Sequence, residues 1–445
     1  MDSSYYVFKC VNADDCVKLS DGTDITNLVN TDNVLIYQFS TGPLLTQLKN
    51  KYYLDTTNNR LFKCESDGKC AVVDKDGYYS IDNANIIGND ASTNPLIGIA
   101  TKVATPVAKA TIANGSNLGP FYYIDGNSYV SDSNYNKLHK CSSDGESAVS
   151  CTSYTNKNAD AVYPNNPIRN SVTSALIKCD GTYFTLANGV NTKYYVNGDS
   201  AAKFLILCGS GTGCVADSTA SDSNVYLDEI SESSESYTKL IKCSGDDTIT
   251  CTSATVNAND VGYYTNGAAS TTNLIKCTSE NDAVTCAVSA APAKGFFKNA
   301  GKTSYSSCKT TSNCVQYTPE ATSCSENIGE LTTSGVLCLD ETKTADFTEG
   351  DYLVDIGSTS KFPSLGGSAG TANHFGYVEA SSNAITLNES KSGIVKVNPT
   401  TMAIDSNGSA KYNCSSGDCQ YVERKFFLFY NLYDLKYFYL IIISN

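Results

Sequence analysis

One short string constrains this chain more than any other: an apolar residue, one further residue, Lys and Cys. It stands as VFKC at 7–10, LFKC at 61–64, LHKC at 138–141 and LIKC at 176–179, 240–243 and 274–277. FLILC at 204–208 is a looser copy, and the segments ending at Cys308 and Cys414 are weaker ones. A second Cys follows most copies across a short polar loop. The neighbour pairs are Cys10/Cys16, Cys64/Cys70, Cys141/Cys151, Cys208/Cys214, Cys243/Cys251, Cys277/Cys286, Cys308/Cys314 and Cys414/Cys419. Loops such as ADD, SDG and SGTG are turn sequences, so each copy reads as a β-hairpin. Opposed hairpin positions are expected to fall within the roughly 4.4–6.8 Å between Cα atoms that a disulfide needs. Closing so short a loop stabilises a hairpin by about 2–3 kcal/mol on the chain-entropy model. Cys324 and Cys338 remain as a wider pair, and Cys179 is left unpaired, because the segment after it has no return Cys.

An aromatic pair stands upstream of many copies: Tyr5-Tyr6, Tyr52-Tyr53, Tyr78-Tyr79, Tyr122-Tyr123, Tyr194-Tyr195, Tyr263-Tyr264 and Phe296-Phe297. Asn, Asp or Gly usually follows, which again reads as strand then turn. Alternation on a strand turns one ring of each pair to the core and the other outward. Tyr53, Tyr123, Tyr195, Tyr263, Tyr264 and Phe297 are therefore candidates either for packing between repeats or for binding a partner. The repeated lysine (Lys9, Lys63, Lys140, Lys178, Lys242, Lys276) reads as an outward position that guards a strand edge, with contact to an acidic partner as the alternative.

Composition fits this unit. The chain has 19 Cys, 30 Tyr, no Trp and 2 Met. Aliphatic residues are thin, which suits many small stapled units better than one large core. The cysteines imply an oxidising compartment, since close CxxC spacing is absent and 2 His supply few zinc ligands. A net charge of −14 argues against nucleic acid as partner. The expected fold is all-β, a tandem array or irregular solenoid of small disulfide-stapled β-hairpin repeats with little helix.

The first cysteines from 179 to 308 are 29, 35, 34 and 31 residues apart, a period of about 30–35. The chain divides into repeat units with an irregular insertion (1–80), spacer strands with a divergent repeat (81–170), regular repeats (171–320), a divergent β region ending in one repeat (321–424) and an aromatic, apolar tail (425–445). The tail carries Asn431, Asp434 and Lys436. Buried charges are costly in a membrane helix, so the tail reads first as translated non-coding sequence and alternatively as a glycolipid-anchor signal. Repeat-like sequence begins directly after Met1 without a signal peptide, which reads as a fragment of a longer secreted or cell-surface protein.

Catalytic signatures are weak. His139 occupies a repeat position and His374 stands alone. No GxSxG, HExxH, Walker A or GxGxxG match has its proper context. The expectation is no enzyme, no cofactor and no metal. Asn114, Asn388 and Asn407 are candidate glycosylation sites, and Asn413, beside Cys414, is a poorer one.

The combination of aromatic pair, LIKC and second Cys, as in GYYTNGAASTTNLIKCTSENDAVTC and KYYVNGDSAAKFLILCGSGTGC, resembles the repeats of scaffoldins from anaerobic gut fungi. The resemblance covers roughly residues 1–320 and is clearest from 176 to 314. It implies a non-catalytic extracellular scaffold of a fungal cellulosome. Its repeats would act as cohesin-like modules for dockerin-bearing glycoside hydrolases and related plant-cell-wall-degrading enzymes. A structural stalk of the cell wall or surface, and a secreted carbohydrate-binding protein, are the alternatives.

Overall fold

The computed structural model describes residues 5–422 except 13, 20–22, 30–31, 40–44, 81–85, 88–93, 110–119, 144–148, 166–172, 174, 202, 210–212, 218–219, 221, 223, 234, 246–248, 269–273, 301–303, 357–360, 363–373; it also describes 426–428 and 440–442. The described chain is all-β, built of many small antiparallel sheets. Helix among the described residues comprises the single turn Thr23–Thr26, three 3-10 turns and the single residue Lys109. Hence no helix among them is long and apolar enough to cross a membrane. Of the tail, Phe426–Leu428 pairs with Leu440–Ile442, and its remaining residues lie outside those described.

The repeat is a three-stranded meander with one fixed register. In the 262–289 copy the strand Gly262–Thr265 pairs with Leu274–Glu280, which pairs with Ala283–Ser289. Gly262 faces Cys277, Tyr263 faces Lys276, and Cys277 faces Cys286. The same alignment sets Lys51, Phe121, Lys193 and Gly295 opposite Cys64, Cys141, Cys208 and Cys308. The Lys-Cys strand is thus the central strand of each meander. This corrects the reading of its lysine as an edge guard: the Lys-Cys strand is flanked on both sides and is not a sheet edge.

Nine disulfides join neighbouring cysteines along the chain. Eight are narrow: Cys10–Cys16, Cys64–Cys70, Cys141–Cys151, Cys208–Cys214, Cys243–Cys251, Cys277–Cys286, Cys308–Cys314 and Cys414–Cys419. The ninth, Cys324–Cys338, closes a wider loop. In the narrow pairs the Cα atoms are 3.9–4.0 Å apart. That corrects the expected separation, whose lower bound is about 4.4 Å. Hairpin register is the reason. Cys10 faces Cys16, Cys64 faces Cys70, Cys141 faces Cys151 and Cys308 faces Cys314 on adjacent antiparallel strands. Directly opposed residues of a non-hydrogen-bonded pair already approach to about 4.5 Å, and the bridge draws them closer. Cys324–Cys338, at 5.3 Å, falls in the ordinary range. The return cysteines differ in cover: Cys70, Cys251 and Cys314 are buried, whereas Cys16 and Cys151 are half-buried. So many disulfides mark an oxidising environment.

Several copies depart from the sequence reading. Residues 77–107 form a complete meander without any cysteine: Ile99 and Ala104 occupy the paired positions, joined by Thr101 and Lys102 at φ 49° and 68°. Both central residues of that turn have positive φ, as a type I′ hairpin requires. In the 161–187 copy, Cys179 faces Phe184. The aromatic strand there is Ala161–Pro164, where Val162 takes the first ring's place. Val225 does the same in the strand Val225–Leu227. Tyr5 and Tyr6 lie on the same strand as Cys10, and Val34–Phe39 supplies the neighbouring strand instead. The last copy is also complete, with Gly393–Val397 pairing with Ala410–Ser415 and that strand with Asp418–Tyr421.

Successive copies are joined by a parallel bridge at one position. The residue two after the second ring is Asp or Asn: Asp55, Asp125, Asn165, Asn197, Asp228, Asn266 and Asn299, all buried. Six of these meet the first pair residue of the preceding copy: Tyr78↔Asp125, Tyr122↔Asn165, Val162↔Asn197, Tyr194↔Asp228, Val225↔Asn266 and Tyr263↔Asn299. The next residue then donates its N–H to that residue's carbonyl, as Gly198 does to Val162 (2.8 Å), Gly267 to Val225 (2.8 Å) and Ala300 to Tyr263 (2.9 Å). Short polar side chains suit the site because they fold back on the turn. Asp125 Oδ1 accepts from Asn127 N–H at 3.0 Å, and Asn266 Oδ1 accepts from Ala268 N–H at 3.0 Å.

The chain forms two compact units. The first holds 1–222, 228–230 and 243–253; the second holds 223–227, 231–242 and 254–445. In the second, the 295–317 copy continues into a nine-stranded sheet with strands from 350 to 421. That sheet carries a core of Leu353, Val354, Tyr377, Val378, Ile385 and Val397, larger than any the short repeats build.

Candidate functional site

The aromatic pairs are the first candidates, and the meanders bury them. Tyr53, Tyr123, Tyr195, Tyr264 and Phe297 are 0–2% exposed, and Tyr263 is half-buried. The first ring of one copy meets the second ring of the next: Tyr78 with Tyr123 at 5.0 Å, Tyr122 with Tyr163 at 4.8 Å, Tyr263 with Phe297 at 5.1 Å between centroids. Tyr264 sits in a core with Ile275 and with Val225 and Leu240 of the preceding copy. Both members of a pair can be buried, as Tyr122 and Tyr123 are, because neighbouring copies cover both faces of a meander. This corrects the expectation of one outward ring.

Two of the buried phenols join a carboxylate and a lysine. Tyr122 Oη donates to Asp199 Oδ2 at 2.8 Å, and Lys140 Nζ reaches the same oxygen at 2.5 Å. Tyr264 Oη donates to Asp260 Oδ1 at 2.7 Å, and Lys242 Nζ donates to it at 2.6 Å. Burial opposes ionisation of both carboxyls. The ammonium and phenol hydrogen bonds outweigh it and hold both below the usual carboxylate range. Burial pushes both phenols up. A phenol held protonated beside a carboxylate held ionised does not exchange protons near neutral pH, so these groups brace copies against one another.

The other repeated lysines divide. Lys9 pairs with Asp32 at 2.8 Å and Lys63 with Glu65 at 2.8 Å. Lys178 and Lys276 are exposed and have no carboxylate partner among the described residues. Across the sheet from them lie Thr185 and Ala287 on the return strands.

The single free cysteine among the described residues, Cys179, is buried, and burial pushes its thiol up, away from the reactive thiolate. His139 is buried with Nε2 3.1 Å from the Tyr78 carbonyl oxygen. His374 Nδ1 lies 3.1 Å from both carboxylate oxygens of Asp418. Among the described residues no hydroxyl or thiol bonds either imidazole, and no group of His, Cys, Asp or Glu is arranged to hold a metal.

The second unit has a cleft of about 920 Å³, lined by Tyr263, Glu349, Asp351, Glu379, Asn383 and Thr386 among others. Asp351 and Glu379 stand opposite each other on paired strands. Each is held by a neutral donor: Tyr377 Oη donates to Asp351 Oδ2 and Asn388 Nδ2 to Glu379 Oε1, both at 2.6 Å. The cleft presents acceptor oxygens and one aromatic edge. Of the candidates read from sequence, only Tyr263 reaches it. Its acids come from segments with no motif, so nothing in the sequence marks them as neighbours.

No protein-family description, curated protein or solved structure matches this chain.

Of the glycosylation candidates, Asn407 is exposed, Asn388 is half-buried, and Asn114 lies outside the described residues.

Proposed function

We propose that this chain is a non-catalytic structural array of the cell surface or cell wall, built from covalently closed β repeats. The observation that carries this reading is the use made of the aromatic residues. Rings that could have recognised a partner contact the next copy instead, as in Tyr78–Tyr123 and Tyr263–Phe297. Six copies add the same parallel bridge, three of these junctions carry the ring contact, and most copies add a disulfide. Stability then grows by neighbour contacts, as in repeat proteins generally. The nine disulfides support an extracellular setting.

Docking of enzymes, as the scaffoldin resemblance implies, is the second reading. It is favoured by Lys178 and Lys276, which are exposed, central in their meanders and without a carboxylate partner among the described residues. One experiment separates the two. The oxidised full chain is immobilised and offered a dockerin-bearing glycoside hydrolase. The structural reading expects no retention above a dockerin-less control. Retention that disappears in a Lys178→Glu, Lys276→Glu variant would replace it with the docking reading. Retention of the chain on insoluble cellulose without enzyme would replace both with carbohydrate binding.

A further inference from the structure

We propose that Asn407 is an N-glycan attachment site, selected among the sequons by the fold of the second unit. The sequence Asn407-Gly408-Ser409 occupies a turn that Asp405 holds from below. Gly408 N–H donates to the Asp405 carbonyl and Asn407 N–H to Asp405 Oδ1, both at 2.8 Å. These bonds use the backbone of Asn407 and leave its exposed side-chain amide without a hydrogen-bond partner among the described residues. The middle residue is glycine for a packing reason: a Cβ on Gly408 would lie 2.5 Å from the Val397 carbonyl carbon. The turn is thereby pressed against the strand Gly393–Val397 at Gly408, while Asn407 and Ser409 remain accessible.

Of the other described sequons, Asn388 is occupied by the fold, and Asn413 is exposed but sits within a paired strand. Asn388 is half-buried and its amide is used at both ends. Nδ2 donates to Glu379 Oε1 at 2.6 Å, and Oδ1 accepts from Ser390 N–H at 3.0 Å and Ser390 Oγ at 2.7 Å. A sugar on Nδ2 would disturb the brace on Glu379. Asn413 lies in mid-strand between Ile394 and Gln420, next to the Cys414–Cys419 disulfide. A glycan there would have to clear side chains on both neighbouring strands.

The donor is a lipid-diphosphate-linked oligosaccharide of a secretory compartment, the kind of compartment in which the disulfides form. Nδ2 of Asn407 forms a bond to the anomeric carbon of the first sugar. The bond from that carbon to the diphosphate oxygen breaks, and the lipid diphosphate leaves with the electron pair. The proton lost from Nδ2 passes to a base of the transferase.

The test uses the full chain, secreted with a leader peptide from a eukaryotic host. It is treated with peptide N-glycosidase in heavy-oxygen water and mapped by mass spectrometry. The expected result is labelled Asp at 407 in most of the secreted chain. Asn407→Gln should lose one glycan's mobility shift without loss of secretion. Unlabelled Asn407 in a secreted, fully disulfide-bonded chain overturns the proposal. Translation of the same chain with microsomes reads the site even where secretion fails. A shift there that Asn407→Gln does not reduce by one glycan equally overturns it.

Discussion

Two neighbouring copies in the first unit share a register and differ in how they are closed. In 193–216, Cys208 faces Cys214 and the pair is a disulfide. In 161–187, the same positions hold Cys179 and Phe184. Phe184 is fully buried, its ring 5.9 Å from Tyr163, and its backbone exchanges both hydrogen bonds with Tyr135 of the preceding copy. The cysteine-free 77–107 copy solves the same problem with Ile99 opposite Ala104 and a tight turn. The fold therefore demands an apolar pair across the hairpin, and a disulfide is one way to supply it. Where the disulfide is missing, packing against the adjacent copy replaces it. The stapled copy should open by itself, and the unstapled one only together with its neighbours.

The largest effect expected from breaking this contrast is at Phe184. Truncating a fully buried Phe to Ala costs about 3–5 kcal/mol. Cys179, the free buried thiol opposite it, is a built-in reporter of local opening. Thiol labelling of Cys179 in the native chain should accelerate by roughly a hundredfold or more in Phe184→Ala, since about 1.4 kcal/mol is tenfold. An unchanged rate would mean that Phe184 does not close this copy.

The staple should be worth less. Replacing Cys208 and Cys214 by Ser removes a loop constraint of about 2 kcal/mol. Amide exchange in the strand Leu205–Gly209 should rise about thirtyfold. Cys179 labelling should change far less, because the copies keep their parallel bridge Val162↔Asn197. Equal acceleration in both copies would show that the disulfide holds the neighbours as well.

An effect of similar or smaller size is expected where copies are pinned by charge. The Asp199 side chain is 4% exposed and Lys140 is its cation. Lys140→Met leaves that carboxylate bonded only to neutral donors, at a cost of about 1–3 kcal/mol, between the exposed and buried limits. The pH dependence has a definite sign. Asp199 is held below the usual range in the folded chain, so its stabilisation is present above about pH 3.9, the unfolded value. It is lost as pH falls through the lower, folded value. Thermal unfolding of the wild type should therefore steepen in acid below that range. Lys140→Met should be less stable at pH 7 and lose part of that acid slope.

How much of this is legible in the sequence depends on which residues carry the signal. Cysteine spacing marks the hairpins directly, because a short polar loop between two cysteines has few other solutions. The 77–107 copy has no cysteine and escapes that signal. Its own marks are Gly77-Tyr78-Tyr79 and an aliphatic hairpin at 96–107. The strands with Val162-Tyr163 and Val225-Tyr226 hide because a β-branched residue substitutes for the first ring. The more regular mark is the Asp or Asn two residues after the second ring. It stands in YYIDGN and YYVNGD, but its meaning, a bridge to the previous copy, is a long-range fact. The lysine's central place is hidden because strand order within a sheet is not written in any one strand. The cleft is not legible at all: Tyr263, Asp351 and Glu379 are brought together only by the nine-stranded sheet and its neighbour copy.

The finest test converts one copy into the other. Phe184→Cys places a thiol opposite Cys179 at a register where other copies hold Cα atoms 3.9–4.0 Å apart. If register alone decides bonding, the variant should form the missing staple, and the denatured chain should contain no titratable thiol where the wild type has one. Its stability should change little or fall. A loop this short returns about 2 kcal/mol, against about 3–5 kcal/mol for the lost ring. The two copies would then differ in covalent closure by nothing, yet the former Phe site would carry a void between Tyr163 and Tyr135. Cavity cost rises with the volume that fails to collapse, so a gain of stability through a second change, such as Ala161→Val beside Tyr163, would locate the deficit in packing. Two free thiols in the oxidised variant would show instead that Phe184 sets the local geometry, and that this copy diverged in backbone as well as in sequence.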